Sequence, residues 1–92
     1  MLLREYIGDA LRVERLSQER SLRDVASGSV ISLGYLSEVE RGQKEVSSEL
    51  LRSICAALGL TVPELLVEVT AQMHMNLREL DTISEEVSHG IL

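Results

Sequence analysis

Phenylalanine and tryptophan are absent from this 92-residue chain, and two tyrosines are its only aromatics. An interior built without large rings has to be filled by aliphatic side chains. Proline occurs once and glycine six times, which leaves most of the chain free to be helical. A single cysteine excludes an intramolecular disulfide. Cys55 sits among Ile54, Ala56 and Leu58 and is expected as a small core residue rather than a redox sensor. No apolar run is long enough to span a membrane. Leu2-Leu3 is followed at once by Arg4 and Glu5, which does not fit a secretory leader, so a reduced cytoplasm and no membrane partner are expected. His74 and His89 lie far apart, with no cysteine or acid at ligand spacing beside either, so no metal is expected. A Gly-rich phosphate loop, a Ser/His/Asp order and a carboxylate cluster are all missing. The expectation is no enzyme, no catalytic residue and no cofactor.

Basic charge is also scarce. Nine Lys+Arg against fifteen Asp+Glu give a net charge of −6. The deficit is uneven: residues 1–52 carry eight basic and nine acidic side chains, net −1, and residues 53–92 carry Arg78 against six acids, net −5. Such a chain is no indiscriminate polyanion binder. If it binds nucleic acid, it should do so weakly in the background, with strong salt sensitivity and at specific sites.

What is present is an ordered series of short amphipathic segments and no stretch that alternates as a strand. One domain of five or six helices follows, all-α. Helix one is expected over about Leu3 to Gln18, with Leu3, Ile7, Ala10, Leu11 and Leu16 buried and Arg4, Glu5, Asp9, Arg12 and Glu14 on the wet side. The most informative stretch is Ser21 to Gly42, SLRDVASGSVISLGYLSEVERG. Leu22, Val25 and Ala26 form a helical stripe behind Ser21, a cap residue followed by Asp24. Ser-Gly-Ser interrupts it, and Ser32 offers a second cap. From there Leu36, Val39 and part of Tyr35 face a core, whereas Leu33, Gly34, Ser37, Glu38 and Arg41 are left outside and Gly42 stops the helix. Two short helices joined by a turn, the second presented rather than buried, match a helix-turn-helix whose second helix enters the DNA major groove.

Ile7-Gly8 followed by Arg12 and Arg15, then Val25-Ala26, Ser32, Tyr35-Leu36, Glu40-Arg41-Gly42 and Ala57-Leu58-Gly59, resemble the Cro/cI-like (XRE) family of DNA-binding domains over roughly Ile7 to Leu66. SLGYLSEVERGQKE and SSELLRSICAALG further resemble the actinobacterial regulators of Clp protease genes, which are transcriptional activators. The resemblance implies a lambda-repressor-like fold over residues 1–66 and a buried ion pair between Arg15 and Glu40. The family frequently has glycine where Val30 stands. A β-branched residue at positive φ is strained, so the turn is expected to take another backbone path.

The recognition helix, about Leu33 to Arg41, supplies candidate base contacts: Leu33 and Tyr35 on thymine methyls, Glu38 on cytosine N4, Ser37 on a base edge or a phosphate, and Gly34 allowing close backbone approach. Candidate phosphate contacts are Arg23, Ser32, Arg41, Gln43, Lys44 and Ser48, with Lys44 first. Arg20 and Arg23 flank the start of helix two, a ready anion site. Ser47 or Ser48 caps helix four, whose Leu50, Leu51, Ile54, Cys55 and Leu58 face inward. Thr61-Val62-Pro63-Glu64 forms a capping box with an early proline, and Leu60, Leu65 and Leu66 close the core.

Beyond it, Leu66, Val69, Met73, Asn76, Leu80, Ile83 and Val87 recur at alternating spacings of three and four, a heptad with one polar member. Residues 67–92 are therefore expected as a C-terminal helical dimerisation segment, with Leu66, Val69, Met73, Leu77, Leu80, Ile83 and Val87 at the interface. Asp81-Thr82, with Glu85 following, could instead start a separate helix and make a hairpin, and His89-Gly90 should end the ordered part. Double-stranded DNA and a second copy are the expected partners. Activation would also need a surface for RNA polymerase, for which the acidic C-terminal face is the candidate. The rival readings are an antitoxin or repressor whose C-terminal helices clasp another protein, and a helical adaptor that does not bind DNA.

Overall fold

The computed structural model describes the backbone of residues 1–91 and the side chains of residues 1–76. Five helices and no strand occur among the described residues: α1 (Leu3–Ser17), α2 (Leu22–Ser29), α3 (Leu33–Glu40), α4 (Ser48–Ala57) and α5 (Val62–Ile91). Each break follows from local chemistry. The hydroxyls of Ser21, Ser32 and Ser47 accept from the N–H groups of Asp24, Tyr35 and Leu50 at 3.0, 3.0 and 3.2 Å, satisfying donors that a helix start leaves unpaired. At α5 the Thr61 N–H and hydroxyl donate to Glu64 Oε1 (3.0 and 2.9 Å) while the Glu64 N–H returns to Thr61 Oγ1. These contacts hold the Glu64 carboxyl below the usual carboxylate range.

The core is aliphatic. Leu11, Leu36, Ile54 and Leu65 are at most 1% exposed, each burial worth roughly 1.5–3 kcal/mol. Cys55 is fully buried among them, and burial pushes its thiol pKa up. One tyrosine joins this core: Tyr6 is buried, with its hydroxyl accepting from Asn76 Nδ2 at 2.7 Å. α2 packs on α3 and α4, and α1 lies between α3 and α5. At the first crossing Gly28 approaches the Ala57 methyl.

Three expectations are overturned here. Leu3 and Leu16 are more than half exposed: the buried arc of α1 runs through Tyr6, Ala10, Leu11 and Arg15, and Leu3, although on the same side as Ala10, precedes it as the first residue of the helix. Leu16 lies about 100° past Arg15 around the helix, beyond that arc. The turn after α2 does not avoid the left-handed region: Val30 occupies it at φ 57°, ψ 43°. Its N–H bonds Ser27 O at 3.3 Å and the next N–H, of Ile31, reaches back to Ala26 O at 3.2 Å, so α2 ends as though a glycine were there. The closing bonds and the anchored Val25, Ala26 and Leu36 on either side hold a conformation that Val30 itself disfavours. Finally, α5 does not stop at His89-Gly90 but continues to Ile91, and of the two alternatives left open it takes the single helix, without a break at Asp81-Thr82.

Candidate nucleic-acid interface

α3 is two faces in eight residues. Leu36, Val39 and Glu40 point inward, whereas Leu33 and Gly34 are exposed and Tyr35, Ser37 and Glu38 half-buried. Nothing lies within 4 Å of where a Cβ on Gly34 would be, so the first turn is open to a partner. Tyr35 also packs against the core and donates its hydroxyl to Glu45 O at 3.2 Å, tying α3 to the following loop.

The inner face is held by a clamp. Arg15 Nε and Nη2 donate to the two Glu40 carboxylate oxygens at 2.8 and 2.9 Å, and Nη1 donates to Arg20 O at 2.9 Å. Both side chains are buried, and the hydrogen bond to Glu40 raises the pKa of Arg15 against the opposing pull of burial. A planar fork on a planar carboxylate fixes rotation as well as distance, so α1 sets the attitude of α3. Further contacts missed by sequence reasoning complete the seat. Gly8 lies against the last turn of α3, where a Cβ would come 2.6 Å from Glu40 O and closer still to Val39 O. Arg4 Nε donates to Gly42 O at 3.0 Å and its Nη1 lies 3.6 Å from Glu45 Oε1. Gly42, at φ 71°, passes 2.9 Å from Glu5 Cα, counted from where its own Cβ would stand. The early Ile7-Gly8 pair was the available signal for such close approach.

The candidate phosphate contacts Arg23, Ser32, Arg41, Gln43, Lys44 and Ser48 are all exposed. Ser37, Arg41 and Gln43 come together with Asp9 and Arg12 of α1 and Leu22 of α2 around one cleft, whose floor is the Arg15–Glu40 pair. Lys44 lies apart, in a hollow with Leu3, Arg4, Ile7 and Val46. Arg20 is already engaged: it bonds Asp24 Oδ2 at 2.8 Å and the carbonyl of Ala57. Ser32 is engaged as the cap of α3, and at α4 Ser47 rather than Ser48 is the capping residue.

The expected dimer stripe merges two faces of α5. Leu65 and Val69 are 1% and 2% exposed and belong to the chain's own core, and Asn76 bonds Tyr6 of α1, so Val69 and Asn76 are not free for a partner. Leu66, expected to help close the core, instead points away from it beside the buried Leu65 and is 42% exposed, and Met73 is 37% exposed. The outward face that sequence reasoning missed carries Pro63, Leu66, Val67, Thr70, Ala71 and His74 around a shallow apolar hollow. Its spacing of three and four from Pro63 was there to be read. Leu77, Leu80, Ile83 and Val87 lie outside the residues whose side chains are described.

Residues 11–65 match the family model for the helix-turn-helix HTH_3. The transcriptional regulator ClgR of Mycobacterium tuberculosis is 53% identical over 72 residues, 78% of this chain and 64% of that protein, so the match spans less than two thirds of the relative's length. The crystal structure of the clp gene regulator ClgR from Corynebacterium glutamicum superposes with a TM-score of 0.85 at 48% identity, covering 91% of this chain and 89% of that one. The restriction-modification controller protein C.Esp1396I, solved bound to a 25 base pair operator site, shares the fold at a TM-score of 0.74 and 18% identity over 79% of this chain and 96% of its own. By its matched helix-turn-helix and its relatives, the chain belongs to the XRE-type helix-turn-helix family of DNA-binding transcriptional regulators.

Proposed function

We propose that this chain is a sequence-specific activator of Clp protease and protein-quality-control genes, acting in the cytoplasm as a homodimer on a near-palindromic operator. The observation that carries the DNA-reading part is the division of α3, pinned by Leu36, Val39 and Glu40, bare at Leu33 and Gly34 and half-open at Ser37 and Glu38. The choice of target genes rests on the likeness to ClgR. Leu33, Gly34, Tyr35, Ser37 and Glu38 face the bases, and Arg23, Ser32, Arg41, Gln43, Lys44 and Ser48 the phosphates. Two such helices about a two-fold axis enter successive major grooves roughly 34 Å apart. Residues 67–92, with Leu66, form the dimerisation segment, and the acidic C-terminal face meets RNA polymerase. The apolar hollow on α5 supports a second reading, in which this helix clasps another protein, as in an antitoxin or repressor.

Selection of bound fragments from random DNA at physiological salt tests the proposal. A two-fold motif with half-sites one turn apart is expected, and salt-sensitive background without a motif would defeat it. Lys44→Ala should weaken binding to every sequence and reduce the salt slope by about one, while Glu38→Ala should relax one base position. DNA affinity indifferent to both would refute the assignment of α3.

A further inference from the structure

The basic side chains differ in what they already hold. Arg4, Arg15 and Arg20 are each committed to a carbonyl and a carboxylate of this chain. Arg12, on the outward side of α1, is exposed and makes no hydrogen bond or ion pair among the described residues. It nonetheless stands at the cleft that also holds Ser37, Arg41 and Gln43. In the floor of that cleft the charges of Arg15 and Glu40 cancel within their bidentate pair. What remains at the rim is two guanidiniums, from Arg12 and Arg41, against the single carboxylate of Asp9, with the Ser37 hydroxyl and Gln43 amide as neutral donors and Leu22 as an apolar wall.

We propose that Arg12 and Arg41 together seat one phosphate of the DNA backbone, so that α1 docks the duplex directly instead of only supporting α3. This deepens the DNA-binding reading and rests on it. A phosphodiester carries one negative charge and two free oxygens, which suits two forked cations whose excess over Asp9 is a single charge. A phosphate monoester or inorganic phosphate carries nearly two charges at neutral pH and is disfavoured by Asp9. Concentrating uncommitted cations beside the reading helix also gives a chain of net charge −6 a local attraction for a polyanion.

The test measures affinity across a salt series for a duplex carrying the selected motif and for a random-sequence duplex of equal length. Arg12→Gln should weaken both several-fold and flatten the salt slope by about 0.9 per protomer. Arg12→Lys should keep the slope, and Asp9→Asn should tighten both duplexes. Thermal melts of all three variants should match the parent, since both positions are exposed. A parent protein that binds DNA while Arg12→Gln leaves the slope unchanged overturns this inference and spares the wider reading; a parent that binds no duplex defeats the reading itself. Calorimetric titration with inorganic phosphate separates the other source: saturable millimolar binding lost in Arg12→Gln, with no change of duplex slope, overturns the DNA-backbone assignment. A lowered melt in Arg12→Gln does so too, by making the residue structural.

Discussion

Replacing Val30 by glycine should make the protein more stable, although it removes a side chain. Val30 holds φ 57°, ψ 43° at the end of α2 and is 91% exposed, so the isopropyl group buries almost nothing that its loss would forfeit. An L-residue in this region costs roughly 1–2 kcal/mol, and β-branching puts valine toward the upper end. Glycine relieves that strain and gains freedom in the unfolded chain, a loss of about 0.4–1 kcal/mol. The balance is a gain of about 1 kcal/mol, or about 4–8 °C in Tm for a domain of this size. Urea melts at one fixed protein concentration measure it, because self-association would make the midpoint depend on concentration. The midpoint should rise at unchanged m-value. Val30→Ala should fall between parent and glycine, and Val30→Pro should be strongly destabilising, as proline cannot reach positive φ and lacks the N–H that bonds Ser27 O. A Val30→Gly protein no more stable than the parent would refute the argument, and so would an alanine variant that exceeds it.

Three further outcomes follow from contacts inside the bundle. Gly8→Ala should destabilise by about 2–3 kcal/mol in a urea melt, because the new methyl meets the backbone carbonyls of Val39 and Glu40, which have no side-chain freedom to yield. Arg15→Ala should cost about 3–5 kcal/mol by leaving Glu40 buried and unpaired, whereas an apolar pair of similar volume at both positions should recover most of it. Glu64 contributes to the acid-side pH dependence: its carboxyl pKa is lowered by Thr61, so its stabilisation is present above the unfolded value of about 4.3 and is lost as pH falls through the folded one. Tm plotted against pH should therefore show a smaller acid-side decline in Glu64→Gln than in the parent, and identical curves would remove Glu64 from the account.

What could be read from the sequence was whatever depends on neighbours in the chain. Ser21, Ser32, Ser47 and the Thr61–Glu64 box mark helix starts through bonds that span three residues, so spacing alone reveals them. The inward residues of α3 and α4 likewise follow from a 3.6-residue period. Three features were hidden because distant parts of the chain decide them. Val30 is left-handed since the flanking helices are anchored elsewhere, an instance of tertiary packing overruling a local preference. α1 has covered sides against both α3 and α5, a combination that takes in Arg15 and leaves Leu16 outside, while Leu3 stands at the helix start, ahead of the first covered residue. In α5 an arc turned toward Tyr6 and an arc turned outward differ by one residue in phase, and a three–four heptad count blends them. Among the candidate interface residues, the outward side of α3 was legible from its lack of core spacing. The convergence of α1 on the same cleft was not, because Arg12 and Arg41 are distant in the chain.

The division of labour within α3 has a consequence for how such a regulator can diversify. Along it Leu36, Val39 and Glu40 anchor the helix, Leu33, Gly34, Ser37 and Glu38 turn away from the core, and Tyr35 belongs to both sets, resting on the core while reaching the Glu45 carbonyl. Substitutions at Leu33 and Gly34, which are exposed, leave the clamp intact, and changes of this kind move stability by only about 0.5 kcal/mol. Under the proposed DNA-reading role, drift or directed recoding explores new operators at nearly constant foldedness, with duplicated copies parting ways in target choice while their scaffold stays interchangeable.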